Sequence, residues 1–253
     1  MILKKTILAL LFTVICLTVS SQNIKEFITA KVDYFVQVHI DKNKNRYKIQ
    51  EKYSPGLVAR GENMASEVDF SLVFNDSTSV FYLEKKLFSD NRAAKFVLRN
   101  ASYYGRIKQN TSNYITEELE EDFGRFLVSR EYQNWELQNE SKVIGEYTCF
   151  KATTFCTTTN PKGKIFKHNF TAWYTPQLPY KYGPAGYGNL PGLIIELQGD
   201  NFTYGVKKIQ FYGDDEKSKI NEMPNLKRLK LISEEKFEAL AEIDEKRWQK
   251  KHN

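Results

Sequence analysis

The chain has 253 residues, a formal net charge of +6, 27% charged residues and 14% aromatic residues, among them 15 Tyr and 17 Phe. That length suits one large domain with a substantial core, and the aromatic content favours strands over helices. Lys and Arg are interspersed with Asp and Glu rather than gathered into a basic block flanked by stacking aromatics, which argues against nucleic acid as a partner.

In chain order, Lys4 and Lys5 precede an uncharged apolar run, Thr6 to Val19, of signal-peptide length and short for a membrane span. Thr18 and Ser20, or Val19 and Ser21, offer the small-residue positions of a cleavage site. Cleavage is therefore expected between Ser20 and Asn23, with Gln22 as the new N-terminus. Residues 1–21 are read as a signal peptide and 22–253 as a single β-rich domain, and loss of Lys4 and Lys5 lowers the charge from +6 to +4. A lipoprotein anchored at Cys16 is rejected, because Ile15 stands where a small residue is normally required. The expected location is the periplasm or the exterior, and no later stretch is apolar for long enough to cross a membrane.

From Ile28 to Ile40 the even positions are apolar and most odd ones polar, the period-two signature of a half-buried strand. Asp41 to Arg46 reads as a turn, after which Tyr47, Ile49 and Tyr53 continue the alternation, predicting a hairpin with Ile40 opposite Tyr47. Val68 to Phe74 and Ser79 to Leu83 form a second hairpin around Asn75–Thr78. Between Lys85 and Asp122 the pattern is weak: short strands are read at Phe96–Leu98, Tyr103–Ile107 and Tyr114–Ile115, and a helical turn at Thr116–Glu121. Further strands are expected at Phe126–Tyr132, Trp135–Gln138, Tyr147–Thr157, Ile165–Tyr174, Leu193–Gln198 and Phe202–Tyr212. One helix is predicted, from Ser233 to about Lys251. Ser233 is its cap, Glu234 and Glu235 lie in its first turn, and Phe237, Leu240, Ala241 and Trp248 fall mostly on one face. The fold class is mainly β: a large curved antiparallel sheet, half-barrel-like, with a C-terminal packing helix.

Chemistry-bearing motifs are scarce. His39, His168 and His252 are the only histidines, and no Ser-centred elbow, HExxH, CxxC or phosphate loop occurs. Glu120/Glu121 and Asp214/Asp215 read as solvated loops. Cys149 and Cys156 fall in one predicted strand, roughly 23 Å apart, too far for a disulfide. Asn160-Pro-Lys-Gly163 has the composition of a type I turn with a left-handed Gly163. It fixes a register in which Ala152 faces Ala172, Phe150 faces Tyr174 and Cys156 faces His168. A Cys–His pair could seed a soft-metal site, but two ligands are too few, so no metal or other cofactor is assigned.

The Gly/Pro cluster from Tyr182 to Leu193 is the most unusual local sequence. It reads either as a tight corner feeding a buried strand or as a ligand loop presenting Tyr182 and Tyr187. The corner would use Gly183, Pro184, Gly186, Asn189, Leu190, Pro191, Gly192 and Leu193, with Pro191-Gly192 at the centre of a type II turn and a positive φ at Gly192. Asn189-Leu-Pro-Gly-Leu-Ile194, with Trp135-Glu-Leu, Val143 to Ala152, Ala172-Trp-Tyr-Thr-Pro176 and Leu178-Pro179 upstream, resembles the GLPGLI family of exported bacterial proteins, whose activity is not established. The resemblance is specific from Phe126 to Gln198. Asn189 replaces the first glycine of the motif, and asparagine tolerates the left-handed backbone such a turn needs.

No catalytic residue is assigned. The expected function is a non-catalytic binding, carrier or interaction protein of the envelope, holding an apolar ligand or another envelope protein. The alternatives are an envelope enzyme without a recognisable motif and a partner of an outer-membrane protein.

Overall fold

The computed structural model describes residues 28–120, 122–159, 163–213, 226 and 229–252. The signal-peptide reading, Cys16, Glu121, Asn160 to Lys162 and Asp214/Asp215 lie outside them.

The fold is mainly β, with twelve strands in one mixed sheet that does not close into a barrel. The strands are β1 Ala30–Val38, β2 Asp69–Phe74, β3 Ser79–Leu83, β4 Ile107–Gln109, β5 Asn113–Glu120, β6 Gly124–Glu131, β7 Glu136–Ile144, β8 Tyr147–Thr159, β9 Ile165–Thr175, β10 Leu193–Gln198, β11 Phe202–Phe211 and β12 Lys230–Ser233. The helices are α1 Asn45–Tyr53, α2 Leu57–Met64, α3 Asn91–Asn100 and α4 Glu234–His252. The sheet order, β12-β6-β5-β4-β3-β2-β1-β11-β10-β9-β8-β7, amounts to two antiparallel meanders, β1–β6 and β7–β11, joined where β1 pairs with β11. β12 adds itself parallel to β6.

The period-two pattern of β1 has its structural counterpart in Ala30, Val32, Tyr34 and Val36, all buried. They share a face with Phe70 and Leu72 across β2, Phe81 on β3 and Tyr204 on β11. Helices α1, α2 and α3 cover that face, contributing Tyr47, Leu57, Val58, Met64, Phe96 and Val97 to the same core. α4 instead lies at the far end of the sheet, against β5, β6 and β12. Ser233 Oγ accepts from the backbone N–H of Lys236 at its start. Phe237, Leu240 and Ala241 are half-buried, and the Trp248 side chain lies outside the description.

Three local expectations are corrected. Asn45–Tyr53 is a helix and not the return strand of a hairpin, and β1 pairs with β2 and β11 instead. Arg46, Lys48, Gln50, Glu51 and Lys52 are good helix formers. Of the three residues that suggested alternation, only Tyr47 is buried, while Ile49 and Tyr53 are exposed. Phe96–Leu98 belongs to α3, begun by Asp90, whose carboxylate accepts from the N–H groups of Arg92 (2.9 Å) and Ala93 (3.0 Å). Thr116–Glu120 is strand, because β5 is paired with both β4 and β6. Arg106 forks onto Glu117 at 2.5 and 3.0 Å.

Candidate functional site

The site is built on the β8–β9 hairpin, whose register matches the sequence-derived one: Phe150↔Tyr174, Ala152↔Ala172, Thr154↔Phe170 and Cys156↔His168. Gly163 has φ 75°. Because side chains alternate along a strand, Phe170, His168, Cys156 and Thr158 project from one face. β10 and β11 are joined by a tight turn in which the Gly199 N–H donates to the Phe202 carbonyl (2.9 Å). With β10 beside β9, this turn brings Asp200 against His168. The His168 Nδ1–H donates to the Asp200 carboxylate at 2.8 Å, and Nε2 accepts from the Thr158 hydroxyl at 2.9 Å. The tautomer follows from the partner: an ionised carboxylate only accepts, so the proton belongs on Nδ1.

Facing the hairpin are α1 and α3. Together they enclose a cleft of about 470 Å³ lined by Arg46, Tyr47, Gln50, Phe96, Arg99 and Asn100 on one side and by Cys156, Thr158, His168, Phe170 and Asp200 on the other, with Tyr104, Tyr187 and Phe202 between. Tyr47 Oη donates to Asn100 Oδ1 (2.8 Å), tying the helices together, and the Arg46 guanidinium lies 4.5 Å from the Tyr47 ring centroid and donates to its hydroxyl. Phe170 packs on Tyr187, with ring centroids 4.8 Å apart. Desolvation by the surrounding cleft walls, and then the neighbouring Asp200 carboxylate, push the Cys156 thiol above its ordinary range although the residue is exposed. Cys149 is buried, Cys156 is exposed and both are free. Among the described residues, no group of three or more His, Cys, Asp or Glu side chains could hold a metal ion. His39 Nε2 is within hydrogen-bond distance of Thr203 Oγ1 (2.9 Å) and does not line this cleft, and the His252 side chain is outside the description.

The Gly/Pro loop lies behind the cleft. Gly183, Pro184, Gly186, Leu190, Gly192 and Leu193 are buried, whereas Asn189 and Pro191 are exposed. The buried Gln109 amide of β4 clamps it: Nε2 donates to the Gly183 carbonyl (2.9 Å) and Oε1 accepts from the Gly183 N–H (3.3 Å). Trp135 Nε1 donates to the Gly188 carbonyl at 2.9 Å. Asn189 holds φ 62°, a left-handed conformation that asparagine tolerates.

Gly192 departs from expectation, since it is not among the residues of positive φ. Its N–H donates to the Leu190 carbonyl (2.8 Å), a three-residue turn centred on Pro191 and not a type II turn. Glycine is needed there because a Cβ would stand 2.1 Å from the Thr175 carbonyl oxygen.

The two tyrosines singled out as a pair are neither exposed nor together. Tyr182 is buried against Phe74, 5.6 Å between centroids, at a second cleft of about 440 Å³ with Asp76, Tyr132 and Asn189. Burial pushes its hydroxyl up to about 12. Tyr187 is half-buried in the first cleft, and burial raises its hydroxyl well above the ordinary range. Arg46, Arg99 and Asp200 escaped sequence reasoning. They come from an unrecognised helix, a segment without clear periodicity and a turn, and only the topology brings them together.

Residues 159–196, from the end of β8 into β10, match a family model described as a protein of unknown function (Porph_ging). No curated protein matches the chain. Among solved structures, "Structure of PNGF-II in C2 space group" is similar over 86% of this chain and 33% of its own, at 13% identity and a TM-score of 0.46. This chain thus spans about a third of that one, and a likeness of this degree carries no argument. No helix among the described residues is long and apolar enough to cross a membrane.

Proposed function

We propose that the chain is an exported, non-catalytic binding protein of the bacterial envelope, of the GLPGLI type, whose ligand occupies the cleft between α1, α3 and the β8–β9 hairpin. The observation that carries this reading is the cleft itself. Its volume falls within the range of small-molecule sites, and it combines aromatic walls with a few convergent polar groups. The apolar concavity that would suit a lipid carrier is filled by the side chains of α1–α3, so the ligand is an amphiphilic small molecule. The Gly/Pro loop serves as a corner supporting Tyr187. The apolar run Thr6–Val19 and the small residues after it support export.

A second reading rests on a different observation. Thr158, His168 and Asp200 form a hydrogen-bonded chain in the order hydroxyl, base and orienting carboxylate, the arrangement of an activated nucleophile. About a third of the His168 and Asp200 side chains is exposed, and Thr158 itself is exposed, so water competes with any substrate for the hydroxyl. Binding is therefore preferred.

Native mass spectrometry of mature protein purified from its own envelope tests both. Retained ligand should be lost in Thr158→Trp, which fills the cleft from an exposed strand position. Ligand retained undiminished in that variant, or none in the wild type, would reject the cleft. Turnover of p-nitrophenyl esters that disappears in His168→Ala would establish the enzyme instead.

A further inference from the structure

Six of the described arginines divide into two groups, while Arg92 donates to the Ser54 hydroxyl and Arg125 is exposed on β6. Arg60, Arg106, Arg130 and Arg247 each pair with a carboxylate: Asp90, Glu117, Glu118 and Asp122 respectively. Arg46 and Arg99, on the helical wall of the cleft, have no carboxylate within ion-pair distance among the described residues. Arg46 is nevertheless held in place by the Tyr47 ring and hydroxyl. Among the described residues the cleft has one acidic side chain, Asp200, and its carboxylate is engaged by His168. The lining thus carries, among the described residues, two guanidinium groups against one carboxylate. No lysine among the described residues lines the cleft. Its cations are planar guanidinium forks, which match carboxylate and phosphate oxygens bidentately and are less heavily hydrated than ammonium groups.

We infer that the cleft recognises an anionic small molecule, with its carboxylate or phosphate held by Arg46 and Arg99 and a ring or apolar body lying against Tyr104, Tyr187 and Phe170. This deepens the binding reading and rests on it. Both arginines are exposed at the mouth of the cleft, where a ligand entering it meets their guanidinium groups beside the apolar walls. Tyr104 is exposed at the cleft, where a ring can stack on it without displacing core side chains. Asp200 Oδ2 accepts from His168, and no ion pair joins this carboxylate to Arg46 or Arg99 among the described residues.

The test uses the mature protein with three probes of one shape, benzoate, phenyl phosphate and the uncharged benzamide, with affinities measured by calorimetry at low ionic strength. At least one anion should bind about tenfold or more tighter than benzamide, the scale of a charge-assisted hydrogen bond, and which anion binds better distinguishes carboxylate from phosphate. Arg99→Gln should erase that preference, weakening the anion far more than benzamide. Arg46→Lys should weaken the anion by a smaller factor, because charge remains and the fork is lost. Added salt should lower anion affinity only. Benzamide binding as tightly as the anions, with Arg99→Gln silent for all three, would overturn the anion and leave the cleft standing. Anion binding that survives Thr158→Trp would place the anion elsewhere and overturn both. Failure of every probe to bind at millimolar concentration would overturn the inference, while the retained-ligand experiment would still decide the cleft.

Discussion

At Gly192 the demand is for space. The Thr175 carbonyl oxygen is 2.1 Å from the position of a Cβ, its carbonyl carbon is 2.5 Å away and the Pro176 nitrogen is 2.9 Å away. All three are backbone atoms that cannot swing aside, so Gly192→Ala must separate β9 from the start of β10, where Leu193 pairs with Thr175. Overpacking of this kind costs about 1–3 kcal/mol or more. For a chain of this size that lowers the thermal midpoint by roughly 2–12 °C. Asn189→Gly, three residues earlier, replaces an exposed residue already at φ 62° with one that adopts it freely. Its midpoint should stay within a few degrees of the wild type. Thermal melts of the two variants side by side decide the matter: an unchanged Gly192→Ala would show that β9 and β10 are not held this closely.

Between elements, the short strand β4 connects to the Gly/Pro loop through one side chain. Gln109 is fully buried and satisfies both the N–H and the carbonyl of Gly183. Gln109→Leu keeps most of the volume but leaves two buried backbone groups without partners, at roughly 1–3 kcal/mol for each such group. A lower denaturation midpoint with an unchanged urea m-value should result, whereas wild-type stability would mean that the loop does not depend on β4. This clamp also marks the limit of what the sequence discloses. The β8–β9 hairpin was legible to the residue because turn composition and the Ala152/Ala172 face agree on one register. The alternation of β1 was legible for the same reason. α1 was not, since Tyr47, Ile49 and Tyr53 mimic a strand while only Tyr47 is buried. The glutamates of β5 have helical propensity, but pairing with β4 and β6 decides their conformation. Within the site, the Cys156–His168 pairing could be derived from the turn. Asp200, Arg46 and Arg99 could not, because their meeting depends on β10 lying beside β9 and on α1 and α3 lying across the sheet.

Across the whole molecule, the decisive contact is the one between β1 and β11, which joins the two meanders into a single sheet. The aromatic core straddles that seam. Phe70 of β2 stacks on Phe81 of β3 with centroids 5.2 Å apart, and both meet Tyr204 of β11 edge-on at 5.3 and 5.6 Å. Two buried hydroxyls stitch it further: Tyr34 on β1 donates to the Ile194 carbonyl on β10 (2.5 Å), and Tyr204 donates to the Ala101 carbonyl just after α3 (2.9 Å). Neither meander can keep this core dry without the other. The expected consequence is one cooperative unfolding transition for residues 22–253, in which near-ultraviolet dichroism, reporting the packed tyrosines, and far-ultraviolet dichroism, reporting the sheet, follow a single curve. Because β1 must wait for β11, more than 160 residues later, refolding should fall in the slow range of domains dominated by non-local pairing, about milliseconds to seconds or longer. Two separated transitions, with the β7–β11 meander melting apart from the β1–β6 meander, would divide the chain into independent units. The core around Phe70, Phe81 and Tyr204 could then not be the common foundation of both halves and of the cleft they carry.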